Sequence, residues 1–172
     1  MQAQTNSGIE KFLSLIDRVS EKQGQSVPQI VEIEKLRSLS TDTFGRIVAN
    51  FLDANNLKPF TTGPRRKQLH DCVHVLTGYG SDPIGEAEVQ AFLLGAKFTV
   101  LNLIVGLGLL RMIHRNLQSR EEFTWDRLQQ AYKRGYDSHF DPDNWQPELL
   151  WNLPLTDVQK MFSISSLIGE GI

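Results

Sequence analysis

Lys67-Gln68-Leu69-His70-Asp71-Cys72-Val73-His74 is followed, after eleven intervening residues, by Glu86. An α-helix turns about 100° per residue, so His70 and His74 fall roughly 40° apart on one face, with Asp71 about 100° from His70 on the same side. Leu69, Cys72, Val73 and Leu76 fill most of the remaining cylinder. Imidazole, carboxylate and imidazole against an apolar back form either a metal site or a buried hydrogen-bond network. The helix reads on to about Thr77. Gly78-Tyr79-Gly80-Ser81-Asp82-Pro83 then breaks the chain and restarts it: Asp82 suits an N-cap and Pro83 the first helical position. A connection this short joins antiparallel neighbours. His74 is then about one turn before the corner and Glu86 about one turn after it, each roughly 6 Å away. Side chains lean toward their helix N-terminus, so the long Glu86 side chain must close the remaining gap.

His70, Asp71, His74 and Glu86 together make an N2O2 donor set. That set suits a divalent metal ion, zinc ahead of iron, manganese or cobalt, and magnesium last because it prefers all-oxygen shells. The alternative is a polar helix–helix contact with Asp71 exposed. Cys72 points away from the histidine face and reads as a core residue.

Other segments stand in order around this one. Thr43-Phe44-Gly45 lies upstream; Ala131-Tyr132-Lys133-Arg134-Gly135 and Trp145 lie downstream. With His70-Asp71-Cys72-Val73-His74 and Gly85-Glu86 between them, the chain over residues 28–165 resembles the coenzyme Q (ubiquinone) biosynthesis protein 4 family, as a divergent member. The family pattern usually has Arg-Glu before the first histidine, where this chain has Lys67-Gln68. The resemblance implies processing of a prenylated hydroxybenzoate-type ring, with oxidative decarboxylation at the carbon that carries the carboxylate. It makes His70, Asp71, His74 and Glu86 the metal-binding and catalytic residues, and Lys67 and Arg134 the candidates for neutralising the substrate's head group. It also implies a prenylated quinone precursor or other isoprenoid lipid as ligand, a second copy of the chain, other quinone-biosynthesis proteins and a membrane surface as partners.

The 172 residues carry a formal net charge of −2 and one cysteine. That length reads as a single domain with its own core, and no internal disulfide is possible. No basic block points to nucleic acid. Residues 1–27 read as an amino-terminal arm, with Ile9, Phe12, Leu13 and Ile16 at helical spacing. They lack the pattern of a signal or transit peptide, which gives the expectation of a cytoplasmic protein, peripheral on the inner membrane face. A second helix is expected from Pro28 with Ile30, Val31, Ile33 and Leu36, and a third from Thr43 to about Leu57. Arg65-Arg66-Lys67 reads as a solvated basic run. Trp125, Leu128, Ala131 and Tyr132 form the expected buried stripe of a helix that closes at Gly135. Asp137, His139, Asp141 and Asp143 read as turn chemistry. A short helix is expected over Pro154–Ile164.

Residues 91–113 are apolar nearly throughout and approach the length of a membrane span, but Lys97 interrupts them. A buried central helix is the better reading, covered on every face. Neighbouring helices, an obligate dimer or a long hydrophobic ligand could cover it. The resemblance favours a lipid, and Phe92, Gly95, Phe98, Leu103 and Gly106 are then the expected lining.

The expected fold is all-α, a single-domain helical bundle around the His-Asp-x-x-His hairpin and the central apolar helix. The expected function is a ubiquinone-type quinone biosynthesis protein, with a metal-dependent decarboxylase or lyase activity if it is an enzyme. The alternatives are a non-enzymatic prenyl-lipid-binding scaffold with a structural metal and, third, a metal-dependent phosphohydrolase.

Overall fold

The computed structural model describes residues 26–98, 106–108, 110–111 and 124–167. Its regular elements are helical: α1 (Ile33–Arg37), α2 (Phe44–Ala54), α3 (Arg65–Gln68), α4 (His70–Thr77), α5 (Pro83–Ala96), α6 (Trp125–Asp137), a 3-10 turn (Pro147–Leu149) and α7 (Leu155–Met161). No strand occurs among the described residues, which contain only an isolated bridge between Thr43 and Pro154. The all-α class follows. The expected helix around Ile9–Ile16 lies outside the described residues.

The helix expected from Pro28 begins only at Ile33. The buried Gln68 amide is the reason. Its Nε2 donates to the carbonyls of Val27 (2.9 Å), Pro28 (3.4 Å) and Gly63 (3.2 Å), and its Oε1 accepts from the Ile30 N–H (3.0 Å). These bonds satisfy the backbone of residues 27–30 in place of a helical ladder. Val31 and Leu36 enter the main core.

Thr43 caps α2 by accepting from the Arg46 N–H. The first N–H groups of that helix, at Phe44 and Gly45, donate to the Leu153 (2.8 Å) and Trp151 (3.0 Å) carbonyls, which fills two of the donors that every helix start leaves open. Gly45 allows this contact: a Cβ there would lie 3.1 Å from the Trp151 Cβ. Phe44 stacks on Trp151 (5.4 Å between ring centroids) and lies 6.2 Å from Trp145. Two of the segments that flank the histidines in the sequence therefore meet in the core.

The apolar run does not continue as one helix. α5 ends at Ala96, and Lys97 is extended at φ −156°, ψ 106°. Its Nζ is held by Asp141 (3.0 Å) and Asp143 (3.0 Å). The charge that interrupts the run is thus drawn toward the acidic loop, which uses its own Asx bonds, from the Asp143 N–H and Asn144 Nδ2 to Asp141. Residues 106–108 and 110–111 are helical again. No described helix is long and apolar enough to cross a membrane.

The stripe expected on α6 is also different. Ala131 and Gly135 are buried, whereas Trp125 and Tyr136 are about 70% exposed and Tyr132 is also exposed. The helix runs through Gly135 to Asp137. A Cβ on Gly95 would fall 2.0 Å from the Tyr132 carbonyl oxygen, and one on Gly135 2.0 Å from that of Phe92. α5 and α6 cross backbone to backbone, and only small residues fit between them.

Candidate metal centre

α4 and α5 meet at a corner whose termini are fully used. α3 passes into α4 through a hitch at Leu69, bridged by the Leu69 N–H to Arg65 carbonyl (3.1 Å) and Val73 N–H to Leu69 carbonyl (3.2 Å) bonds. Gly78 ends α4 in the left-handed region at φ 80°, and its N–H donates to the His74 carbonyl at 2.7 Å. The buried Leu76 carbonyl accepts from Gln159 Nε2 at 3.0 Å, and the Thr77 carbonyl from Arg134 at 3.1 Å. Asp82 then caps α5 by accepting from the Ile84 (2.8 Å) and Gly85 (3.1 Å) N–H groups, with Pro83 in the first turn. A Cβ on Gly85 would sit 2.1 Å from the Gly80 carbonyl oxygen. The glycine before Glu86 lets the corner close.

Across this corner three side chains converge. His70 Nε2 lies 3.1 Å from Glu86 Oε2; His74 Nε2 lies 3.1 Å from Glu86 Oε1 and 3.2 Å from His70 Nε2. The long Glu86 side chain closes the gap between the two helices. His74 is 1% exposed and stacked on Phe51 (5.6 Å, 19°), while His70 and Glu86 are 23% and 21% exposed. The centre is anchored at its inner edge and open at its outer one.

The donor chemistry fits a cation. His74 Nδ1 lies 3.3 Å from the Tyr79 carbonyl. That acceptor keeps a proton on Nδ1, which leaves the Nε2 lone pair facing inward. The lone pair then meets a carboxylate and a second imidazole, and a single proton on His70 cannot satisfy all of them. A tetrahedral shell with bonds of 2.0–2.1 Å has edges of about 3.3 Å, close to the 3.1–3.3 Å separations here. His70, His74 and Glu86 are accordingly a group able to hold a metal ion.

Without the ion, the charges lean on one another. Burial works against the His70 imidazolium, but Glu86 outweighs it, so the His70 pKa is pushed up to about 9. Burial would also raise Glu86, yet His70 and His74 hold its carboxyl well below the usual carboxylate range. Asp71 moves the other way: burial raises it, against the pull of His70 and His74.

Asp71, expected as a fourth ligand, stays outside the converging group. One residue along the helix is enough to turn its carboxylate off the common point. Lys67 lies over the Phe60 ring at 4.6 Å. Arg65 binds the Trp145 carbonyl (2.8 Å) and Glu148 (2.6 Å), and Arg66 faces Asp143 at 3.3 Å; the two arginines of the basic run are tied to the 141–148 segment rather than solvated. Arg134 is committed to the Thr77 and Ser165 carbonyls and to the Tyr79 ring, not turned toward a head group. Phe92 is core beside Phe140, Gly95 is filled by α6, Phe98 is exposed, Gly106 approaches Gln90, and Leu103 lies outside the described residues. Phe92 and Gly95 therefore serve helix packing. Phe51, Tyr79 and Gln159 support the centre and carried no signal in the sequence beyond their apolar or helical setting.

No family model matches the chain. The mitochondrial ubiquinone biosynthesis protein COQ4 homolog of Bos taurus is 31% identical over 93 residues, 44% of this chain and 35% of that protein. The Mus musculus homolog is 26% identical over 149 residues, 78% of this chain and 55% of that protein. The crystal structure of a Nostoc punctiforme protein named for ubiquinone biosynthesis superposes with a TM-score of 0.66 at 16% identity, covering 94% of this chain and 82% of that one.

The chain resembles the COQ4 homologs as a divergent relative. It spans between 35% and 55% of the length of those two curated COQ4 relatives. The Nostoc likeness concerns the fold, which is the helical architecture described above. The segments that resemble the COQ4 pattern now have physical roles: Thr43-Phe44-Gly45 and Trp145 build the core, Gly85 closes the corner, and Arg134-Gly135 serve the corner and the helix crossing.

Proposed function

We propose that this COQ4-like chain acts in ubiquinone-type quinone biosynthesis through a divalent metal, zinc first, held by His70, His74 and Glu86. The observation that carries the reading is the convergence of three ligand atoms across one helical corner. The bound ion would supply Lewis-acid pull on the carboxylate or phenolate of a prenylated hydroxybenzoate-type ring. The partial exposure of His70 and Glu86 leaves room for that ring, as catalytic sites keep a position open and structural ones are closed. That favours an enzyme over a scaffold with a structural metal; its reaction would be oxidative decarboxylation, in which the ring loses CO2 and gains a hydroxyl, with dioxygen and an external two-electron donor supplying that oxygen atom and leaving water.

The chain's own residues take definite parts. His74 anchors the site through Tyr79 and Phe51. Glu86 bridges the two helices and offsets the cation's charge. Asp71, outside the ligand group and shifted toward neutral pH by burial, is the carboxylate free to take a proton from the ring. Apolar surface past Ala96, at Phe98 and Leu107, supports binding of the prenyl tail by burial.

Native mass spectrometry with elemental analysis, on the full chain purified without chelator, tests this. One transition-metal ion per chain is expected, with a co-purified prenyl lipid, and the metal is expected to be lost in His70→Ala and His74→Ala. Absence of metal from the parent, or normal metal content in both variants, would overturn the reading.

A further inference from the structure

Arg134 sits on α6, far along the chain from the ligands, yet its guanidinium reaches their corner. Nη2 donates to the Thr77 carbonyl at 3.1 Å and also to the Ser165 carbonyl. The guanidinium carbon lies 5.0 Å from the centroid of the Tyr79 ring. Nε and Nη1 are buried without a hydrogen-bond partner. A guanidinium with a merely electrostatic role would keep those donors in water. Here the planar group lies against a buried aromatic ring.

Arg134 therefore grips both sides of Gly78, the residue with left-handed backbone. The turn at Gly78 places Tyr79, whose carbonyl lies 3.3 Å from His74 Nδ1. The next residue, Gly80, presses on Gly85, which precedes Glu86. One side chain on a third helix thus bears on the orientation of two ligands.

We propose that Arg134 is a positioning residue of the metal centre: through the Thr77 carbonyl and the Tyr79 ring it fixes the corner that orients His74 and Glu86. This rests on the metal reading above. Lysine cannot replace it, because an ammonium has no flat, delocalised face to lie against the Tyr79 ring while it bonds the Thr77 carbonyl. Groups that orient a ligating histidine typically matter about 10- to 100-fold in metal affinity.

The test measures Zn2+ affinity of the full chain by chelator competition, for the parent, Arg134→Gln, Arg134→Lys and Tyr79→Phe, well below each protein's melting temperature. Amide exchange at Gly78 and Gly80 is followed in the metal-free proteins. Both arginine variants are expected to lose about 10- to 100-fold in affinity and to exchange faster at the corner. Tyr79→Phe, which keeps ring and carbonyl, should stay close to the parent. Parent-like affinity in Arg134→Gln, or full rescue by lysine, overturns the proposal alone. Loss of the fold in both arginine variants assigns Arg134 a purely structural part and also overturns it. A parent that takes up no zinc overturns the metal reading, and this inference with it.

Discussion

The corner between α4 and α5 and the crossing between α5 and α6 share a helix and are built by opposite means. At the corner, side chains reach across: Glu86 to His70 and His74, Arg134 to Thr77, Gln159 to Leu76. At the crossing, side chains are missing: Gly95 and Gly135 let each helix rest on the other's carbonyls. A contact made of atoms can lose one atom and relax. A contact made of absence cannot accept one. The site's chemistry is carried by the first kind, and its frame by the second.

Substitution at the crossing should have the largest effect. In Gly135→Val the new Cβ must enter a space 2.0 Å from the Phe92 carbonyl oxygen and 2.9 Å from the Ala96 nitrogen, both backbone atoms with no rotamer to change. We expect a loss of about 3 kcal/mol or more in unfolding free energy, read as a lower urea midpoint. A parent-like midpoint would mean that the crossing yields and is no more rigid than the corner.

Glu86→Gln should act almost entirely at the corner. It keeps the shape of the side chain and removes the charge that both histidines face. Zinc affinity should fall by more than about 100-fold, beyond the range for groups that only orient a ligand, while the metal-free fold survives. In the same variant the His70 pKa should drop from about 9 back toward the ordinary imidazole value, measured by histidine NMR titration.

The pH dependence follows from these shifts. The stabilisation from His70, whose folded pKa is raised, is complete below about pH 6.5 and lost as pH rises toward its folded value. The stabilisation from Glu86, whose pKa is held down, is present above about pH 4.3 and lost as pH falls. Metal-free protein should therefore melt highest near pH 5–6.5 and lose about 3 kcal/mol at most by pH 9.5, with Glu86→Gln flattening the curve. Zinc affinity should run the opposite way, rising with pH as the ion displaces the His70 proton. Thermal scans with and without zinc check both signs.

Lys97→Leu should show the smallest effect. Removing the charge frees residue 97 from Asp141 and Asp143, and α5 should lengthen slightly, seen as a modest rise in helical circular dichroism. Unchanged ellipticity would assign the end of the helix to something other than the lysine.

Much of the corner was legible in the sequence because its devices are local. Asp82-Pro83 caps as expected, and the His70–His74 spacing gives one face. Helical phase puts Asp71 on the histidine side but does not say whether its carboxylate reaches the common point, where His70, His74 and Glu86 converge. The crossing was illegible for the reason that makes it rigid. A hydrophobic stripe scores Trp125 and Tyr132 as core and passes over Gly135, while the real contact selects the smallest side chains. The helix expected from Pro28 failed because Gln68, remote in sequence, offers that backbone other partners. The apolar run reads as continuous because the acids that draw Lys97 aside lie more than forty residues away.

Cys72 backs the ligand face of α4. It is the chain's single cysteine, it is fully buried, and burial pushes its thiol pKa up. Alkylation of that sulfur must wait for the helix to lift from its bed, so the unaltered protein carries its own stopwatch. An ion that stitches α4 to α5 would slow it, and the ratio of the two labelling rates would give the grip of the ion in free energy without any mutation.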